Sequence, residues 1–372
     1  RRLVAKEKHI EEADVRDELL LAANTPANRL RYILKETMGA DGEFERRHAE
    51  LREIGERSGG SSASMDVSEA DVVSSFYESV QPPRSAGAMG GFMYEFIRHG
   101  QLAAKLGDTL FVHGGITFTN ASGAECDAIF SVPGVSAPVA GLSAWVDALN
   151  AWKQSQLEEY VRKPLGATNS RDVSANRGGD ALMDYAVPTS STPSVVMSRH
   201  LDSMSMPKKL SERLVDELHA GGVRRVVLGH TPHGDCPTVI RHESARSQVD
   251  VIMADTSYSN MKASDNRGGA ISTVSLLSNG ETVVQGTRHD GSEIAYTLCH
   301  DGKGDPLVGH VEPEGDERYF VKAALRSGEY LLCHVSGFKY SYKTCSKENV
   351  ALVLGHAPSV AGGRGGGGAP HP

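Results

Sequence analysis

Two stretches of this sequence decide its fold: residues 108–116 read DTLFVHGGI, and residues 226–232 read VVLGHTP. Each starts as an apolar run as long as a buried strand and continues into a histidine, His113 in the first and His230 in the second. Ligands bind α/β sheets beyond the carboxyl ends of the strands, so both histidines are predicted to face a binding crevice. The adjacent glycines permit tight turns and a close approach of the backbone to an anion or a metal. The pattern predicts an α/β (α+β) protein with a site at this sheet edge.

The two histidines allow more than one chemical interpretation. Neutral imidazole is the commonest metal ligand in proteins, so His113 and His230 are candidate ligands. Alternatively, each histidine caps a strand or hydrogen-bonds a loop, and the residues alone leave both interpretations open. The HGG triplet also occurs in the oxyanion loop of α/β-hydrolases, which requires a G-x-S-x-G elbow. The nearest segments, 134–138 (GVSAP) and 141–145 (GLSAW), lack the second glycine, which argues against a serine hydrolase.

Composition excludes several classes of protein. The 372 residues include 47 acidic and 39 basic side chains, a formal net charge of −8 and no global basic field for nucleic acid. The chain contains no apolar run of about 18 residues, the length that a membrane span needs. Its five cysteines form no CxxC pair, which argues against a disulfide framework or a zinc knuckle. We therefore expect a cytoplasmic protein without nucleic-acid or membrane partners.

Four regions follow from the local patterns. Residues 1–100 are predicted to be helical, with Thr25 and Ser68 as helix caps and 59–64 (GGSSAS) as a linker. Residues 101–300 alternate between strands and helices, 301–360 form a small β-rich extension, and 361–372 are a disordered, glycine-rich tail. The strands predicted within 101–300 are 108–112, 194–197, 226–228 and 249–254, and the helices are 142–165 and 211–219. A loop is predicted at 166–186, and an antiparallel meander is predicted from strands 272–277, 282–286 and 294–298. In this meander, Asn279-Gly280 and Asp290-Gly291 predict type I′ turns.

The two histidine stretches also resemble a known family. Their order, with an arginine between them and the strand 251–256 (VIMADT) after them, is similar to the second half of calcineurin-like metallophosphoesterases, nearest to the phosphoprotein-phosphatase group and its bacterial-like relatives. The resemblance covers residues 1–298 and implies that His113 and His230 each bind a two-metal centre. The family places a phosphate-binding arginine between its two histidine segments, which implies that role for Arg199. A surface ion pair is the alternative role of Arg199.

The resemblance carries expectations for fold and activity. It implies the carboxyl-terminal half of a β-sandwich flanked by helices, with residues 1–100 as a helical insertion within the phosphoesterase domain. In the intact protein it implies two divalent metal ions, Mn, Fe or Zn, and hydrolysis of phosphomonoesters by metal-activated hydroxide. A phosphoserine or phosphothreonine protein is the first expected substrate, and a small phosphoester such as a dinucleoside polyphosphate is the second.

The sequence departs from the family in its first half. The motifs GDxHG, GDxxDRG and GNHE or GNRD, which supply further ligands, are absent. A two-metal hydrolytic centre holds ions about 3.5–4 Å apart, usually with a bridging carboxylate, which two histidines do not supply. The chain is therefore expected to be a fragment that is not a competent phosphatase, with an apolar sheet face exposed where the other half would pack. The competing hypothesis is a non-catalytic binding module with a degenerate metal site.

Several residues near these stretches are further candidates for the site. Asp255 ends a predicted strand and would suit a carboxylate that orients His230, although a strand-end turn residue needs no function. His233 lies in GHTPH, one residue longer than the GHxH of some branches of the family, so it is not counted as a ligand. His99, His200 and His219 end or interrupt elements, and no function is expected of them.

Overall fold

A computed structural model describes residues 11, 13, 16–57, 66–85, 87–119, 125–164, 177–187, 192–256, 271–311, 318–337 and 339–353. The linker predicted at 59–64, residues 166–176 of the predicted loop and the tail 361–372 lie outside these residues. The chain divides into two compact units: Arg1–Gly100 with Tyr160–Gly178, and Gln101–Glu159 with Gly179–Pro372.

The described part of Arg1–Gly100 is helical, as the sequence predicts. Its helices are α1 (Asp17–Ala23), α2 (Pro26–Tyr32), a π-helix (Ile33–Thr37), α3 (Glu43–Arg57), α4 (Glu69–Ser79) and α5 (Phe92–His99). Thr25 caps α2 by accepting a hydrogen bond of 3.1 Å from the Asn28 amide, and Ser68 forms a capping box with Asp71. These caps satisfy amides that have no partner inside the helix, which fixes where the two helices begin.

The rest of the chain supplies four more helices among the described residues: α6 (Leu142–Arg162), α7 (Asp180–Tyr185), α8 (Glu212–Ala220) and α9 (Lys347–Val353). The strands are β1 (Ala103–Leu106), β2 (Thr109–Val112), β3 (Thr117–Thr119), β4 (Glu125–Asp127), β5 (Arg225–Leu228), β6 (Thr238–Glu243), β7 (Gln248–Met253), β8 (Ile271–Leu276), β9 (Thr282–Thr287), β10 (Glu293–Leu298), β11 (Phe320–Ala324), β12 (Tyr330–Ser336) and β13 (Lys339–Cys345). The mixed α/β class predicted from the sequence is therefore present. No helix in the described residues is long and apolar enough to cross a membrane.

A five-stranded sheet in the order β1-β2-β5-β7-β6 forms the centre of the second unit. Its three middle strands, β2, β5 and β7, run parallel, and the two edge strands run antiparallel to their neighbours. At its amino end, buried Arg225 pairs with Asp108 and donates hydrogen bonds of 3.0 Å to the Gly280 carbonyl and to Thr282 Oγ1. Arg225 thereby ties the sheet to the strands that follow it in the chain.

Both faces of the central sheet are covered. Alternate residues of β5 and β7 divide between two cores, with Val226 and Val251 packed among residues of α6 and α8, and Val227 and Ile252 packed against the later antiparallel strands. The expectation of an exposed apolar sheet face is therefore wrong for the described residues, because β8–β13 supply the second cover.

The antiparallel strands form two three-stranded sheets, β10-β9-β8 and β11-β12-β13, as the alternating patterns predict. The predicted type I′ turns are wrong. Gly280 and Gly291 have φ angles of 88° and 83°, but neither Asn279 nor Asp290 has a positive φ. Each hairpin uses a longer connection, in which the Leu277 amide bonds the Glu281 carbonyl at 2.9 Å and Arg288 pairs with Ser292 in the same way. This geometry needs one left-handed residue, and glycine supplies it.

Two other local predictions are also wrong. The predicted strand at 194–197 is a turn, which the Ser198 amide closes with a hydrogen bond of 3.0 Å to the Ser194 carbonyl. Residues 180–185 of the predicted loop form helix α7 instead. Buried Tyr185 at the end of α7 accepts a hydrogen bond of 3.0 Å from the Val195 amide, which gives this helix its place in the core.

Candidate functional site

The two histidines singled out in the sequence lie side by side. β2 and β5 are parallel neighbours, with Val112 opposite Leu228, so their carboxyl ends lie at the same sheet edge. The ring centroids of His113 and His230, which follow these strands, are 5.0 Å apart with an angle of 54° between the ring planes. The expectation that the strand ends bring the two imidazoles together is confirmed. Their role as metal ligands stays a prediction.

The backbone at His230 has an unusual conformation. His230 has a φ of 65°, in the left-handed region that few residues other than glycine adopt. Such conformations cost free energy and cluster at functional sites, because the surrounding structure must impose them. Here Gly229 donates a backbone hydrogen bond of 2.9 Å to His113, which fixes the chain immediately before the strained residue.

The electrostatics keep the His230 ring neutral. Burial, which is the largest cause, and the charges of His113 and Arg199 together lower the pKa of His230 to about 4, although the Asp255 carboxylate opposes them. Nε2 of His230 is buried and has no hydrogen-bond partner among the described residues. A neutral imidazole with a free ring nitrogen is the form that binds a metal.

Arg199 reaches the same place from a different segment. The turn before it is bound to the loop after β2, because the Val195 carbonyl accepts hydrogen bonds from the Gly114 and Gly115 amides at 2.7 and 3.2 Å. The Arg199 side chain is exposed, and its charge is near enough to lower the pKa of His230. The structure therefore brings together His113, His230 and Arg199, the three residues selected from the sequence.

The two glycines of the HGG triplet are required by close packing. A Cβ atom on Gly114 would clash with the Val196 carbonyl oxygen, and one on Gly115 would lie 2.9 Å from the His200 ring. No side chain fits at either position without a shift of the neighbouring segment. The glycines therefore let the loop that carries His113 lie directly against the segment that carries Arg199.

Asp255 and His233, the other candidates near this edge of the central sheet, have different surroundings. Asp255 lies beside the site, where its charge raises the pKa of His230. The ring of His233 is held by other partners, because Nδ1 hydrogen-bonds Thr238 Oγ1 at 2.9 Å and Nε2 hydrogen-bonds the Ser205 carbonyl at 2.8 Å. With both ring nitrogens in hydrogen bonds, His233 has no donor atom left for a metal.

The sequence does not reveal the long-range contact of His200. This histidine is 1% exposed, and its Nε2 accepts a hydrogen bond of 3.1 Å from the Ile116 amide in the loop after His113. No function is expected of His200 from the sequence, and the structure adds that its ring joins two segments of the candidate site. Its position next to Arg199 is the single hint in the sequence, and spacing alone does not reveal a long-range bond of this kind.

The residues present fit part of a metal centre. His113 and His230 offer two adjacent imidazoles, and the buried, unpartnered Nε2 of His230 is suited to a ligand role. Within the described ranges, no group of three or more histidine, cysteine, aspartate or glutamate side chains is arranged to hold a metal ion. The two histidines therefore supply some of the ligands of a two-metal centre, but not the carboxylate that would bridge the two ions.

Comparisons with known proteins add no further information on the site. Neither the protein-family models, nor the curated proteins, nor the solved structures contain a match to this chain. The functional interpretation therefore depends on the residues and geometry described above.

Proposed function

We propose that the intact protein is a metal-dependent phosphoesterase that hydrolyses phosphomonoesters, and that His113, His230 and Arg199 are part of its active site. The observation that carries the proposal is the 5.0 Å separation of the two imidazoles at the ends of neighbouring parallel strands. In this proposal the central sheet is the carboxyl-terminal half of a metallophosphoesterase sandwich. A phosphoserine or phosphothreonine protein is the proposed substrate.

The histidines are proposed as metal ligands. His230 suits this task because burial keeps its ring neutral, so no proton competes for the free nitrogen near pH 7. The bond from Gly229 to the His113 carbonyl holds the two strand ends in register, which limits how far the imidazoles move apart. A divalent metal, when bound, supplies positive charge to the phosphoryl oxygens and makes water more acidic.

Arg199 is proposed to bind the phosphoryl group. Its exposed guanidinium is available to a substrate from solution, and its planar fork matches two phosphoryl oxygens. Arg199 also lies near enough to His230 to act on the same bound group. In this proposal the two strand ends carry the metal ligands, and the segment packed against them carries the phosphate-binding arginine.

One observation favours a second function. Among the described residues, no group of three or more histidine, cysteine, aspartate or glutamate side chains is arranged to hold a metal ion. The alternative is therefore a binding module that holds a metal or a phosphorylated ligand without hydrolysing it. The two functions predict the same binding and differ in turnover. Binding of Mn²⁺ and phosphate without product release would support the module.

The test is hydrolysis of p-nitrophenyl phosphate by the intact protein with added Mn²⁺, in the wild type and in His113→Ala and His230→Ala. Each change is expected to abolish turnover, since each removes a ligand of the proposed centre. His99→Ala is the matched control, because His99 is an exposed histidine at the end of α5. Full activity in either site variant would overturn the proposal.

A further inference from the structure

His200 is a buried polar side chain between the two segments of the candidate site. Its ring is 1% exposed, and the hydrogen bond from the Ile116 amide to Nε2 is 3.1 Å long. Ile116 follows the glycines after His113, and Arg199 immediately precedes His200. One imidazole therefore joins the backbone of the loop after His113 to the segment that carries Arg199.

The hydrogen bond fixes the protonation state of this ring. Because Nε2 accepts, the proton of the neutral ring is on Nδ1. Burial lowers the pKa of His200 to about 3, so the ring remains neutral throughout the physiological range. Nδ1 itself has no partner among the described residues, which is unfavourable for a buried donor. An apolar ring would avoid that cost but could not accept the hydrogen bond from the Ile116 amide. The acceptor nitrogen Nε2 therefore explains why an imidazole is present here.

Other contacts join the same two segments. The Gly114 and Gly115 amides donate to the Val195 carbonyl, and Thr117 Oγ1 donates to the Arg199 carbonyl at 3.5 Å. Among these contacts, the bond of His200 is made by a side chain of the segment that carries Arg199, whereas Val195 and Arg199 contribute backbone carbonyls. Gly115 lies against the ring, where an added Cβ would be 2.9 Å from Cδ2.

We propose that His200 is a positioning residue: its Nε2 holds the loop after β2 so that His113 faces His230 and Arg199. The inference rests on the proposed function of those three residues, because it assigns His200 the task of setting their geometry. Residues that orient metal ligands through hydrogen bonds affect metal affinity about 10–100-fold when they are replaced.

The structure offers a matched control in His242. Its ring is also 1% exposed, its Nδ1 accepts a hydrogen bond of 2.8 Å from the Leu210 amide, and its Nε2 has no partner among the described residues. The two ring centroids are 6.5 Å apart, so changes at either residue disturb the same region of the core. His242 bonds Leu210 instead of the loop after His113.

The experiment compares His200→Gln and His200→Phe with His242→Gln and His242→Phe, all in the full chain. The carboxamide oxygen of glutamine replaces Nε2 as acceptor, whereas phenylalanine keeps a ring without an acceptor. The first measurement uses metal-free protein and follows the nuclear Overhauser effect between the ring protons of His113 and His230. The second follows the broadening of both ring signals during titration with Co²⁺.

We expect the ring–ring effect in the wild type, in His200→Gln and in both His242 variants, and its loss in His200→Phe. The Co²⁺ midpoint should rise at least tenfold in His200→Phe and stay within about threefold in His200→Gln. An unchanged ring–ring effect in folded His200→Phe would overturn the positioning role. If His200→Phe does not fold, failure of His200→Gln to keep the ring–ring effect overturns it instead. Absence of Co²⁺ broadening in the wild type would count against the proposed metal site alone.

Discussion

The Gly229 amide donates a hydrogen bond of 2.9 Å to the His113 carbonyl, so the ladder between β2 and β5 continues beyond the last paired residues, Val112 and Leu228. Backbone pairing, which depends on no particular side chain, thus reaches His113 and the residue immediately before His230. The next residue, His230, then takes a left-handed conformation. The pairing of the two strands therefore helps to impose the strained backbone conformation of His230.

This strain leads to a prediction for His230. Alanine at a φ of 65° keeps the unfavourable backbone conformation, whereas glycine adopts it freely. We expect His230→Gly to be more stable than His230→Ala by about 1 kcal/mol, although both lose the imidazole. Urea denaturation of the two variants measures the difference. Equal stability would mean that the backbone relaxes to a negative φ once the ring is removed.

Arg199 is expected to affect binding and electrostatics together. Arg199→Ala should weaken phosphate binding by the intact protein about 10–100-fold and lower its turnover, since charged hydrogen bonds contribute about 1.5–3 kcal/mol. The change should also raise the pKa of His230, because the positive charge of Arg199 lowers it. Phosphate inhibition and the NMR titration of the His230 ring measure the two effects.

Arg199→Lys separates these two effects. Lysine keeps the positive charge but loses the planar fork, so the pKa of His230 should stay low while phosphate binding remains weakened. An unchanged pKa of His230 in Arg199→Ala would contradict the proximity of the two side chains in the structure.

A third prediction concerns the packing of Gly115 against His200. In Gly115→Ala the new Cβ would lie 2.9 Å from the His200 ring and 3.2 Å from Ser198 Cβ. We expect a loss of about 1–3 kcal/mol in the free energy of unfolding, as is typical of overpacked cores. The double variant with His200→Ala should lose less than the sum of the single changes, because it removes the clashing ring. Additive losses would show that the two residues are not in contact.

Acid should destabilise the second unit through three buried histidines. Burial lowers the pKa values of His200 and His233 to about 3, and that of His242 well below its ordinary value. In the unfolded chain these rings bind protons below about pH 6.5. In the folded protein His200 and His233 do so only near pH 3, and the pKa of His242 is also well below its ordinary value. The unfolded state thus gains protons first, and stability falls as the pH drops through this window.

The expected size follows from the linkage relation. Each buried histidine should contribute a loss of about 1.4 kcal/mol between pH 7.5 and pH 5.5, or about 4 kcal/mol for the three. Urea denaturation at the two pH values measures this loss. His242→Gln should reduce the measured loss, to which His230 with its lowered pKa also contributes, by about 1.4 kcal/mol. A loss of unchanged size in that variant would contradict the assignment.

The features that the sequence predicted are those set by local patterns. Apolar runs ending in HGG and GHT predicted two strands with histidines at one sheet edge, and Ser68 with Asp71 predicted a helix start, because each signal lies within a few residues. The wrong strand at 194–197 has the composition of a buried strand, but its Val195 carbonyl bonds the distant loop of Gly114 and Gly115. Composition does not encode that partner.

The hairpin turns were mispredicted, and the contact of His200 was not predicted, for related reasons. Asn-Gly and Asp-Gly suit type I′ turns, yet the strand ends leave longer connections that need a positive φ only at Gly280 and Gly291. The bond between His200 and the Ile116 amide joins residues far apart in the chain. Contacts of this kind depend on the assembled sheet, so no short window of sequence reveals them.

The parallel pairing of β2 with β5 also bears on the order of events in folding. Val112 is paired with Leu228, although the two residues lie far apart in the sequence. Pairings with such long sequence separation form slowly, because loop closure must come first. The hairpins β8–β9 and β9–β10 join neighbouring segments and are expected to form earlier. The approach of His113 to His230 would therefore be among the last steps, and the ring–ring distance would report completion of the central sheet during refolding.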